Sequence, residues 1–184
     1  MEKLIFLFLL FTGIVQSQEL PKIDGYKWNK CPSIKGAFLC PNDWHFKASN
    51  TNGQEAFFIS KEKIIDNKTR FETGISIFVL KNIPKTKKMT PSKFMESYVN
   101  LSKSKFKVTE ENDITMGPFV GKNFKYEQKD KTGQKIYKFY NLLISNDKTG
   151  TLYLVIFECP KDAWPKEYSK AEKVLKMLYI DDTV

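Results

Sequence analysis

Four side chains in this 184-residue chain could carry nucleophilic or metal chemistry: Cys31, Cys40, Cys159 and His45, the only histidine. A thiolate beside an imidazole is a nucleophile–base pair, so Cys159 with His45 is the one histidine-containing dyad the sequence allows. It would need an orienting acid such as Asp162 and an oxyanion hole, and no local motif supplies either. Trp44 and His45 are adjacent in a predicted strand, so their side chains point to opposite faces. With Trp44 in the core, His45 faces solvent. One histidine and three cysteines make no convincing zinc set. Glu110, Glu111 and Asp113 form a short acidic cluster without the alternating ligands and glycine of a calcium loop, and read as a solvated turn. No glycine-rich phosphate loop, nucleophile elbow or dinucleotide fingerprint is present. The chain reads as non-catalytic, with no catalytic, metal or cofactor-binding residues and no cofactor. The alternative is a thiol-dependent or hydrolytic enzyme using Cys159 and His45.

Whether the thiols pair depends on compartment. Glu2 and Lys3 lead into the apolar run Leu4-Ile5-Phe6-Leu7-Phe8-Leu9-Leu10-Phe11, followed by Thr12, Gly13 and the small-residue exit Val15-Gln16-Ser17. This is the layout of a secretory signal peptide over residues 1–17, with cleavage between Ser17 and Gln18. The run is about ten residues, against about twenty for a bilayer span, and no other segment approaches that length. The mature chain is therefore expected to be exported, periplasmic or secreted, without a membrane span. Export favours a disulfide and one odd thiol. Cys31 and Cys40 are close and flank Pro32 and Gly36, which help the chain turn, so they are the first candidate pair. Such a bridge would stabilise the fold by roughly 2–3 kcal/mol. Cys159 is then free and buried. Cys40–Cys159 is the other possibility, because both lie near the ends of predicted strands. Asn67-Lys68-Thr69 and Asn100-Leu101-Ser102 match the glycosylation sequon, which matters only in a eukaryotic secretory pathway.

Lysine and arginine total 30 against 21 acids, a net charge of +9. Arg70 is the sole arginine. Sites that read phosphate or carboxylate favour the bidentate guanidinium fork, and there is no aromatic-basic RNA motif. A nucleic-acid partner is excluded on these grounds. Attraction to anionic lipid or glycan surfaces remains as a lysine-driven third reading.

The elements that position these residues follow from periodicity. Residues 18–35, with Pro21, Gly25 and Pro32, read as an irregular N-terminal extension. Ala37-Phe38-Leu39, Trp44 to Lys47, and Ala56 to Ile59 are short strands. Phe71 to Leu80 is the first long one. Phe71, Thr73, Ile75, Ile77 and Val79 share one face, and Phe78 and Leu80 make the other partly apolar, so cover is expected on both sides. Thr90-Pro91 is a hydroxyl N-cap with proline at the first helical position. The helix it starts presents Phe94, Tyr98 and Leu101 beside Met95, to about Lys103. Phe106 to Thr109, Phe119 to Gln128, Ile136 to Ile144 and Thr151 to Glu158 read as strands, the last three as antiparallel neighbours joined by glycine-bearing polar loops. Thr151 to Glu158 is apolar on both sides, which places it centrally. Tyr168, Ala171, Leu175 and Leu178 mark a closing helix, widened by Val174. Trp164, between Pro160 and Pro165, reads as the staple docking that helix, or else as a binding patch.

An antiparallel sheet with helices packed on its faces is an α+β sandwich, here a single domain over residues 36–184. The order resembles the PsbP-like family. Ala37-Phe38-Leu39-Cys40-Pro41-Asn42-Asp43-Trp44 looks like the family's opening strand, proline, turn and tryptophan. Gly74-Ile75-Ser76-Ile77-Phe78-Val79 looks like its long strand, Thr90-Pro91 to Tyr98 like the following helix, and Thr151 to Leu178 like its last strand and closing helix. A small Ran-binding protein and bacterial envelope proteins share that fold. The resemblance implies a PsbP-like α/β/α sandwich that binds a protein or envelope partner and catalyses nothing. It carries no partner-binding residues over to this chain.

Overall fold

The computed structural model describes residues 20–51, 53–65, 71–181 and 183. The signal segment, its Ser17–Gln18 cleavage site and the Asn67 sequon lie outside the described residues. Seven strands form one antiparallel sheet: β3 (His45–Thr51), β4 (Gln54–Ser60), β5 (Gly74–Leu80), β6 (Thr109–Met116), β7 (Phe119–Lys129), β8 (Ile136–Asn146) and β9 (Thr151–Pro160). Their spatial order is β3-β4-β5-β9-β8-β7-β6, so the doubly apolar strand β9 is the middle one. Its alternation explains why. Tyr153, Val155, Phe157 and Cys159 enter a core on one face, while Leu152 and Leu154 enter a smaller core on the other.

The larger core is closed by α3 (Trp164–Lys176) and a separate two-stranded hairpin, β1 (Tyr26–Cys31) with β2 (Gly36–Pro41). Ala171, Val174, Leu175 and Leu178 are buried, as their spacing predicts. The hairpin corrects one expectation. The lead-in read as irregular is a strand from Tyr26 onward, paired from Tyr26↔Pro41 to Cys31↔Gly36 around a short 3-10 turn at Pro32–Ile34. Its polar residues Lys27, Asn29 and Lys30 mask the pattern, although Tyr26 and Trp28 pack on the core. Trp164 stacks on Tyr168 at 4.8 Å and tilts against Phe157 at 5.2 Å, so it serves as the helix staple.

The smaller core lies under α1 (Ile83–Lys87) and α2 (Pro91–Lys105). The Thr90 hydroxyl caps α2 by accepting from the Lys93 amide at 3.3 Å. Asp147, in the β8–β9 turn, accepts from the Ser92 amide and hydroxyl at 2.8 and 2.6 Å and pins the same helix end to the sheet. The buried stripe is Met95, Val99 and Ser102 with Phe94 and Tyr98 beside it; Leu101, expected inward, is 53% exposed. Asn100 of the second sequon is exposed on the same helix.

The acidic segment also departs from expectation. Glu110, Glu111 and Asp113 belong to the edge strand β6, not to a turn, with a register shift between Thr109 and Asn112. Alternating polar side chains hide a strand whose one face meets water. Lys125, Lys103 and Lys122 pair with the three acids in turn, each at 2.5 Å. A bulged, charged edge of this kind resists pairing with another chain. Among the described residues no group of three metal-ligating side chains forms.

Candidate functional site

The helices α1 and α2 cover only part of their face of the sheet. α2 starts at Asp147 and ends near Tyr126, where Phe106 stacks at 4.3 Å. The remainder is an open cleft of about 1210 Å³. Register places its floor on consecutive strands: Lys47 opposite Phe58, Phe58 opposite Ser76, Gly74 opposite Glu158, and Glu158 opposite Phe139. Phe58 meets the edges of Phe71 at 6.4 Å and Phe78 at 6.2 Å, and Phe139 stacks on Tyr126 at 4.8 Å. Cover on both sides of the Phe71–Leu80 strand was expected. Leu80 has it, in the α1/α2 core, whereas Phe78 lines the cleft.

Beside the cleft, Asn141 is fully buried on the same sheet face, between Phe124 and Ile156. Among the described residues neither of its amide atoms has a partner of ordinary hydrogen-bond geometry, although the Tyr126 hydroxyl lies close enough to interact with it. Burial pushes the Tyr126 phenol well above its usual range. At the cleft mouth Lys135 bridges to Glu72 at 3.0 Å. Asp130 is held by its own hairpin, accepting from the Thr132 hydroxyl at 2.8 Å and the Gln134 amide at 2.9 Å.

The residues singled out for chemistry do not converge. His45 is exposed at the sheet edge, and Cys159 lies in the large core on the opposite face. Strands β4 and β5 separate them, which is about 14 Å at the usual strand spacing. Burial raises the Cys159 thiol to about 12, with Glu167 adding to the effect, so it stays protonated near neutral pH and is no nucleophile. The Cys159–His45 enzyme is therefore overturned by placement.

The Cys31–Cys40 bridge is corrected as well. Cys31 faces Gly36, and Cys40 sits opposite Lys27, four ladder positions away. That is about 13 Å along the hairpin, roughly twice the Cα separation a disulfide spans. All three cysteines are buried free thiols. Burial raises Cys31 to about 12 and Cys40 to about 11. We expect a maleimide or disulfide reagent to leave the native protein unlabelled over minutes and to label three thiols after unfolding in guanidinium. Rapid native labelling of any one would contradict this placement.

Compared by sequence, no protein-family model and no curated protein matches the chain. Compared by structure, the chain has the PsbP-like α+β fold. The solution structure of cyanobacterial PsbP from Synechocystis superposes with a TM-score of 0.52 at 15% identity, covering 92% of this chain and all of that one (100%). A point mutant of protein Mog1 gives 0.50 at 12% identity, over 86% of this chain and 97% of that one. A crystal structure from Bacteroides thetaiotaomicron gives 0.50 at 16% identity, over 85% of this chain; the chain spans only 49% of that protein's length. Identities this low establish the fold and leave function to the site.

Proposed function

We propose that this chain is an exported, non-catalytic domain that binds a protein partner in the cleft over the uncovered part of its sheet. The observation that carries the reading is the cleft itself: about 1210 Å³, floored by Phe58, Phe78 and Phe139 on strands β4, β5 and β8. An apolar surface of this kind beside a well-covered core marks an interaction site rather than a packing fault. The burial of Cys159 and its separation from the exposed His45 support the absence of thiol catalysis. The apolar segment Leu4–Phe11 supports export, and no helix among the described residues is long and apolar enough to cross a membrane.

Ser76 on the cleft floor and Lys166 on the outer face of α3 provide the test. With native thiols buried, Ser76→Cys and Lys166→Cys can each carry a single photo-crosslinker in an otherwise unreactive protein. We expect one discrete protein adduct in the native envelope from position 76 and none from 166. No adduct from 76, or equal adducts from both, would end the reading. The mass of the exported chain checks its address, with Gln18 expected at the N-terminus.

A further inference from the structure

We infer that the cleft is shaped for a short extended polypeptide segment, with bulky apolar side chains leading into acidic ones. This rests on the reading of the cleft as the binding surface. Three observations carry it.

The first is dimension. The cleft is lined from β3 (Thr51) through β4, β5, β9 and β8 to β7 (Gln128). Six adjacent strands span about 24 Å, the length of roughly seven extended residues. Its volume of about 1210 Å³ exceeds the 300–1,000 Å³ typical of small-molecule pockets.

The second is the placement of apolar surface. Phe58, Phe78 and Phe139 lie on the floor and Phe71 beside it, so bulky apolar side chains belong over the middle of the trough.

The third is charge. Among the described acids around the cleft, Glu72 is paired with Lys135, Glu158 is held by another interaction, and Asp130 is hydrogen-bonded within its own hairpin while keeping its charge. Lys129 and Lys131 are exposed at the β7 end, and their ammonium groups form no hydrogen bond or ion pair among the described residues. Among the described residues the β7 end thus carries two lysine ammoniums against the single Asp130 carboxylate, a net cationic rim at that end. Lysine ammoniums are point charges that suit single carboxylates better than planar bidentate anions. An acidic end of the segment over β7 meets them, and the attraction weakens with salt.

The experiment is an NMR titration of the isotopically labelled full chain, lacking only the signal segment. The probes are three synthetic nine-residue peptides with one Leu/Trp half and a second half rich in Glu, Ser or Lys, and laurate as a non-peptide amphiphile. We expect amide shifts at Phe58, Phe78 and Phe139, with the Glu peptide binding about tenfold tighter than the Ser peptide and the Lys peptide weakest. The double substitution Lys129→Glu/Lys131→Glu, on exposed positions that leave the core intact, should reverse that order. Equal affinities for the three peptides would overturn the acidic segment while leaving the cleft as a binding surface. Laurate binding tenfold tighter than the Glu peptide, in competition with it, would replace the polypeptide with an amphiphile. No shift at the cleft with any probe at millimolar concentration would overturn both this inference and the functional reading beneath it.

Discussion

Phe157→Ala is expected to lower the unfolding free energy by about 3–5 kcal/mol, the usual cost of deleting a fully buried aromatic ring. Phe157 is 0% exposed on the central strand and is the contact point for α3. Its ring lies 5.2 Å from Trp164 and 5.9 Å from Tyr168, which stack on one another. The cavity therefore opens under a helix whose docking depends on that cluster. Phe78→Ala is the control, because Phe78 is half-buried and lines the cleft. It removes a ring with little cover and should cost about 1 kcal/mol, in line with partial burial. Urea unfolding followed by far-UV circular dichroism measures both. Equal costs would mean that the two sheet faces are not packed as described.

Asn141→Leu should move stability the other way, upward by about 1–2 kcal/mol. A buried amide without partners carries most of its desolvation penalty. Leucine has similar size and suits the surroundings of Phe124 and Ile156. A destabilised Asn141→Leu would show that the amide makes a bond worth keeping. A stabilised variant that also weakens binding at the neighbouring cleft would show stability traded for function.

Much of the sheet was legible because its strands obey a period of two and its turns carry glycine. The β7–β8–β9 meander, the central place of β9, the Thr90 cap and the α3 stripe all follow from such local signals. What stayed hidden has physical reasons. Strand β1 is anchored by Tyr26 and Trp28 between lysines, so its alternation is weak. Strand β6 is an edge, where water replaces one set of neighbours and acids are tolerated. Leu101 looked like core because helical spacing fixes which residues share a stripe but not how wide the neighbour's cover is. The same limit applies to the cleft. Phe58, Phe71, Phe78 and Phe139 look in sequence like ordinary core aromatics. Among the described residues the finite reach of α1 and α2 leaves them uncovered, and that is a property of tertiary placement.

The strand order has a consequence for how the chain comes to be folded. Each pair in the seven-stranded sheet joins sequence neighbours except β5 with β9. The sheet is therefore two meanders sewn along a single seam, from Gly74↔Glu158 to Leu80↔Leu152. Loop closure across so long an intervening stretch is entropically slow. A chain delivered N-terminus first holds β3, β4 and β5 as an unsealed half until residues 151–160 emerge. That arrangement is a timer: the last strand to be made is the one that locks the rest.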